Sequence, residues 1–294
     1  MATFVSYNNA NGNREDLLNI IVNIAPTETP MLSGFAKGKA TATTHEWLQD
    51  SLAAADTGNV VEGSDASAGT MQARTRVSNH TQINRKVWLI SDTMEVVDKA
   101  GVSGSEYSYQ LGKALKEIAR DMEYSIVNGT GNAGNASTAR EVKGVNAFIT
   151  SNTSTAGSAR ALTETIYNDL LQDVFDAGGN PDVTYCNGFQ KRKISGFTAS
   201  QTRNIEASNK RLIASIDVYE SDFGMQKVVL DRYHSTARVT CLEKSKWKIA
   251  MLRPVKATEL AKTGSSRKGM CEAEWTLEAL HEGSSGQIRN LTES

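Results

Sequence analysis

Cysteine, histidine and excess charge are all scarce in this chain of 294 residues. The three cysteines, Cys186, Cys241 and Cys271, are far apart and show no Cys-x-x-Cys spacing. A disulfide framework and a structural zinc site are therefore excluded as organising devices. The four histidines, His45, His80, His234 and His281, are scattered, with no two at helical spacing. Lys plus Arg number 32 against 33 Asp plus Glu, a formal net charge of −1. A chain built to grip nucleic acid needs a cationic surplus to neutralise phosphates, and this one has none. No apolar run approaches the roughly 20 residues of a membrane-spanning helix. The first residues have neither the basic start nor the apolar stretch of a secretory signal, so the expected folding environment is cytoplasmic. The five Asn-x-Ser/Thr sequons, at Asn79, Asn128, Asn135, Asn152 and Asn290, then read as chance. What remains is 39% apolar and 22% charged, a folded globular composition with length for one large domain or two moderate ones.

Local catalytic signatures are missing too. Gly129-Thr-Gly-Asn-Ala-Gly134 has dinucleotide-fingerprint spacing, but that motif needs a strand before it and a helix after it. Here it follows a helical pattern and enters a Ser/Thr-rich stretch, so a helix-ending linker is the expectation. There is no phosphate loop, and Gly264-Ser-Ser-Arg-Lys268 reads as an exposed turn. Gly101-Val-Ser-Gly-Ser105 fails the spacing of a nucleophile elbow. Cys186 and Cys271 fall on expected strands, where cysteine is usually a small buried hydrophobe. Lys191-Arg192-Lys193 beside Phe189 and Phe197 reads as a solvated helix face with two aromatic anchors rather than an anion patch. Glu272, Glu274 and Glu278 lack a calcium-loop pattern and read as a wet sheet face or as salt bridges to a neighbour. No cofactor or metal is expected.

Positive signals begin with an arm. Asn13 can cap a short helix with Leu17, Leu18, Ile20, Ile21 and Ile24 on one stripe, before Pro26 and Pro30 force an extended path. Period-two stretches at His45–Leu52 and about Arg74–Ser91 flank a polar, glycine-containing segment and predict a two-stranded ribbon. Trp47 and Trp88, one on each strand, suit a cross-strand pair or an anchor in a partner's groove. A lone ribbon is marginal in water, so it needs a surface to lie on. Ser103 and Glu106 form a capping box for a long helix. In it Leu111, Ala114, Leu115, Ile118, Ala119, Met122 and Ile126 form one stripe, with Lys113, Lys116, Glu117, Arg120, Asp121 and Glu123 on the other face. Asn128-Gly129 ends it with a residue free to take positive φ.

Beyond two Gly/Ser-rich stretches (129–139 and 151–158) a mixed region is expected. Thr163 caps a helix carrying Ile166, Leu170, Val174 and Tyr167, Leu171, Phe175. Strand 182–186, a basic helix near 189–197, a hairpin pair (216–220, 225–230) and strands 238–242 and 247–252 follow. Met270–His281 alternates plainly, with Cys271, Ala273, Trp275, Leu277 and Ala279 on one face. The fold class is α+β.

The order of these parts resembles the major capsid proteins of tailed phages with the Hong Kong 97-like fold. Asn23-Ile-Ala-Pro-Thr-Glu-Thr-Pro-Met-Leu-Ser33, His45-Glu-Trp-Leu-Gln-Asp-Ser-Leu52, Val60-Val-Glu-Gly63, Ile205-Glu-Ala-Ser-Asn209 and Glu274-Trp-Thr-Leu-Glu-Ala-Leu-His281 carry the resemblance. It implies an N-terminal arm (1–44), an extended two-stranded loop (45–92) and a peripheral domain with a long spine helix (93–147). An axial α/β domain (148–268) and a return strand of the peripheral domain (269–294) complete it. It implies a non-catalytic subunit that assembles with itself, through hexamers and pentamers, into an icosahedral shell around packaged double-stranded DNA. It further implies inter-subunit contacts near Trp47, Glu62, Arg74, Arg76 and Trp88. The implied partners are a separate scaffolding protein, a portal, decoration proteins and DNA held non-specifically, with no membrane. The Gly/Ser-rich joints would absorb angular differences between five- and six-membered rings. Two rivals stand beside this reading: an encapsulin-type nanocompartment shell, and a cytoplasmic α+β enzyme with a spatially assembled site.

Overall fold

The computed structural model describes residues 28–66, 69, 71–98, 104–197 and 217–293. The expected arm helix at 13–24 and the 205–209 segment lie outside them.

A short helix, α1 (Pro30–Gly34), leads into β1 (Ala36–Lys39). The ribbon strands are β2 (Thr44–Gln49) and β3 (Thr75–His80), and β4 (Gln82–Ser91) follows β3 after one residue. Then come α2 (Asp92–Val96), α3 (Glu106–Asn128), β5 (Thr130–Asn132), β6 (Glu141–Lys143), α4 (Val145–Phe148) and β7 (Asn152–Arg160). Next are α5 (Glu164–Asp176), β8 (Val183–Cys186), α6 (Gly188–Phe197), β9 (Val218–Ser221), β10 (Gly224–Leu230) and β11 (Val239–Leu242). Two 14-residue strands, β12 (Trp247–Leu260) and β13 (Ser266–Ala279), form a long hairpin, and β14 (Gly286–Leu291) ends the described chain. One sheet runs β1-β12-β13-β4 and another runs β7-β14-β11-β8-β10-β9.

Helix α3 covers the first sheet. Ala114, Ile118, Met122 and Ile126, spaced by four, are buried against Trp275, Leu277, Ile249 and Trp247. At 23 residues α3 extends about 35 Å. Ser103 is outside the described residues. The cap is Ser105, whose Oγ accepts from Ser108 N at 3.4 Å, and Glu106 opens the helix instead of reaching back to it. Gly129 ends α3 at φ −54°, not in the left-handed region. It is needed for close approach, because a Cβ there would collide with the carbonyls of Val142 and Ser125. The joint at the end of α3 is thus tightly packed, and Gly144 N closes it with a bond to Gly129 O of 2.9 Å.

The alternation of β13 is as expected: Cys271, Ala273, Trp275, Leu277 and Ala279 are all buried. In the second sheet Tyr167, Leu170 and Leu171 of α5 pack on Ile288, Cys241 and Leu291, and Val174 is buried beside them on the same helix. Thr163 Oγ1 caps α5 through Ile166 N. The three thiols are buried, and burial pushes Cys186 up to about 12 and Cys241 up to about 11. Both are therefore inert hydrophobes at neutral pH.

Four expectations need correcting. Strand 74–91 is two strands: β3 pairs with β2, while β4 pairs with β13 in the body. Trp47 consequently faces Val77, and Trp88 lies opposite Gly269, so the two rings form no cross-strand pair. Residues 151–158 are not a linker but lie in edge strand β7, paired in parallel with β14. Finally, β12 runs to Leu260 inside the first sheet, and β14 returns to the second. Sheet membership thus cuts across both the 148–268 and the 269–294 boundaries.

Candidate assembly interface

The ribbon is rooted through its side chains. Trp47 Nε1 donates to Ala279 O at 2.9 Å, Gln49 Nε2 donates to Leu280 O at 2.7 Å, and His45 Nε2 lies 3.4 Å from Glu278. Asn79 is buried and ties three elements together. Its Nδ2 donates to Leu277 O (2.7 Å) and Lys143 O (3.0 Å), and its Oδ1 accepts from Lys143 N (2.9 Å). Thr81, between β3 and β4, is the pivot where the strand changes partners. Its N–H reaches Thr43 O on the ribbon side (2.8 Å) and its hydroxyl reaches Glu274 on the body side (2.9 Å).

Past Gln49 and before Thr75 the described ribbon residues have no regular secondary structure, and their side chains face solvent. Leu52 is 97% exposed, Val60 85%, Val61 78% and Met71 95%. Four large apolar side chains on one excursion, none supported by the chain's own core, make an exposed apolar surface.

The five residues expected at inter-subunit contacts divide into two groups. Glu62, Arg74 and Arg76 are exposed on the ribbon. Arg74 pairs with Asp50 (3.2 Å) and Arg76 with Glu46 (3.4 Å), both across the ribbon in solvent. Trp47 is half-buried on Phe148, with ring centroids 6.2 Å apart. Trp88 is buried on Tyr107, with centroids 5.5 Å apart. Both indoles are therefore spent on the chain's own body.

The glutamate row of β13 is neither wet nor left to a neighbour. Glu274 is buried and receives Arg140 Nη2 (2.6 Å), Arg253 Nε (2.8 Å) and Thr81 Oγ1 (2.9 Å). Glu272 binds Arg85 (2.5 Å) and Arg253 (2.7 Å), and the Arg85 hydrogen bond holds its carboxyl below the usual range. On the basic helix, Lys191 is spent on Asp217 (2.8 Å), and Lys193 lies over the Phe189 ring.

Glu123 departs most from the helical reading. It is fully buried, and its two oxygens accept Met31 N (2.8 Å) and Leu32 N (2.7 Å) of α1. Burial raises its carboxyl to about 7, the two N–H bonds opposing. It stands four residues after Ala119 and three before Ile126, at the flank of the apolar stripe, and only the approach of α1 distinguishes it from the other charged residues of the helix.

Known proteins share this arrangement across its whole length. A major capsid protein of Escherichia phage Phieco32 is 28% identical over 97% of this chain and 96% of its own. The capsid asymmetric unit of cyanophage A-1(L) superposes with a TM-score of 0.77 at 13% identity, over 98% of this chain and all of that one. A chain of Mycobacterium phage Adephagia superposes at 0.65 and 15% identity, over 98% of each chain. The encapsulin in the holo-SrpI complex of Synechococcus elongatus has the same fold at 0.62 and 7% identity, over 100% of this chain and 98% of its own. The family model described as SU10 major capsid protein matches residues 3–292. Spine helix, ribbon and paired sheets are therefore those of a phage shell subunit rather than of an enzyme, and the chain belongs to the SU10 major capsid protein family.

Proposed function

We propose that this major capsid protein forms its icosahedral shell from pentameric and hexameric rings, each ribbon lying across the neighbouring subunit in the ring. The observation that carries this is the exposure of Leu52, Val60, Val61 and Met71 on a segment with no core of its own. Head-to-tail contacts of this kind are heterologous and close into rings. Glu62, Arg74 and Arg76 are the polar contacts of that overlap. Exposed ion pairs such as Arg74–Asp50 and Arg76–Glu46 contribute about 0–1 kcal/mol each, so re-pairing with a neighbour costs little. Trp47 and Trp88 serve the overlap indirectly, by fixing the ribbon's root.

The shell encloses double-stranded DNA, which its near-neutral chain confines without gripping. A scaffolding protein, a portal and decoration proteins act from outside this chain, and assembly takes place in the bacterial cytoplasm before the virion is complete. Negative-stain electron microscopy of the purified protein tests the core of the reading. Rings or closed shells are expected, and a monodisperse monomer or dimer at high concentration overturns it. DNA-filled heads from the native source separate a virion shell from an enzyme-holding compartment.

A further inference from the structure

A cleft of about 370 Å³ opens where the end of α3 meets the second sheet, lined among others by Asn128, Thr130, Asn146, Ser235, Arg238 and Arg289. Its charge is unbalanced. Neither arginine has a carboxylate within ion-pair distance among the described residues, and Arg238 makes no side-chain hydrogen bond there. Arg289 spends Nη2 on the carbonyls of Asn146 and Ile149 (both 3.3 Å), while its buried Nε has no partner. The two guanidiniums repel one another, and burial together with Arg289 lowers the pKa of Arg238. Half-buried like charges without a counter-ion are costly, and elsewhere this chain surrounds its arginines with glutamates, as at Glu272 and Glu274.

Asn146 also lines the cleft and is buried. Its side-chain amide is 3.0 Å from Thr240 Oγ1, which is itself 2.9 Å from His234 Nε2 within the second sheet's core. The Asn146 carbonyl that accepts from Arg289 Nη2 therefore stands on a braced residue, and it holds the guanidinium at the cleft. Thr130, whose hydroxyl is 2.9 Å from Glu141, helps to wall the cleft without competing for its positive charge.

We propose that this cleft is an oxyanion site, with a phosphate group held between the guanidiniums of Arg238 and Arg289. Guanidinium forks match the oxygens of a tetrahedral anion, and a phosphate group offsets the repulsion between the two guanidiniums. Phosphate can reach it from two sources, free inorganic phosphate or a phosphodiester of nucleic acid.

The test is thermal melting and calorimetric titration of the full chain, as capsomers or shells, with sodium phosphate at constant ionic strength. Saturable binding and a raised melting temperature are expected. Arg238→Gln removes no hydrogen bond within the fold, and it should weaken phosphate binding at least about ten-fold, the size of one lost charge-assisted contact. Arg238→Glu supplies the missing anion in cis, so it should melt higher than wild type without phosphate and no longer respond to it. Competition by a short DNA duplex, lost in Arg238→Gln, identifies nucleic acid as the source. Phosphate binding without such competition identifies the free ion. No saturable effect in wild type, or equal phosphate affinity in wild type and Arg238→Gln, overturns the proposal.

Discussion

The far end of the ribbon and strand β13 are both extended backbone, yet opposite in how their side chains are used. On β13 one face is buried under α3, and the glutamates of the other are neutralised by Arg85, Arg140 and Arg253 from three separate segments. On the ribbon from 50 to 74, apolar side chains face water and the one arginine, Arg74, pairs with Asp50 across the ribbon itself. One region is finished by its own chain, and the other, in the assembly proposed above, is finished by neighbours. On that reading subunit stability and assembly are separable properties, lodged in different residues.

The hardest way to break the contrast is through the body. Trp275→Ala removes a fully buried indole and its 2.8 Å hydrogen bond to Asn84 Oδ1, leaving that oxygen only the longer bond from Gln82 Nε2 at 3.3 Å. The expected loss is about 3–5 kcal/mol, read by denaturant melts of the subunit. A loss under about 1 kcal/mol would show that the body is not the self-sufficient half.

Next comes the buried carboxyl that receives α1. Glu123 has its pKa raised from an ordinary 4.5 to about 7 by burial. The folded state therefore binds a proton that the unfolded state releases. Its contribution is fully present below pH 4.5 and is lost as pH rises through 7. Stability should increase by up to about 3 kcal/mol as pH falls from 8 to 4.5, from this group alone. Glu123→Gln should flatten that slope in melts over the same range. An unchanged slope in the variant would exonerate Glu123.

A smaller effect is expected at Gly269, where a Cβ would collide with the Trp88 ring and the Tyr107 hydroxyl. Gly269→Ala should cost about 1–3 kcal/mol through overpacking, visible as a lower melting temperature. The smallest effect on the subunit belongs to the ribbon. Leu52→Ser, Val60→Ser, Val61→Ser and Met71→Ser together should leave the subunit melt within about 0.5 kcal/mol per site. The same quadruple variant should fail to form closed particles by electron microscopy. Normal shells from it would erase the distinction between the two regions.

Local periodicity made much of the body legible. The alternation of β13, the stripes of α3 and α5 and the Thr163 cap are all short-range patterns, and they appear where expected except that Leu115 and Phe175 of the two stripes are exposed. Features set by distant partners were not legible. Strand β7 has the composition of a linker, and only parallel pairing with β14, more than 100 residues away, makes it a strand. The split at Thr81 depends on Glu274, 193 residues on. Glu123 looks like one more charged residue on a charged helix until α1 presents two backbone N–H groups to it. On the candidate interface, Glu62, Arg74 and Arg76 lie exposed on the ribbon. The inward turn of Trp47 and Trp88 needed knowledge of β4's true partner.

The chain passes between its two sheets three times, after β6, between β11 and β12, and between β13 and β14. The last two passages start and finish in interior strands: β12 and β13 in one sheet, β11 and β14 in the other. Tension that draws the two sheets apart is therefore delivered, at two of the three passages, to strands hydrogen-bonded on both sides, and only the first passage joins margins, from β4 to β7. In a shell wall that is a seam stitched twice through the middle of the cloth and once along its hem.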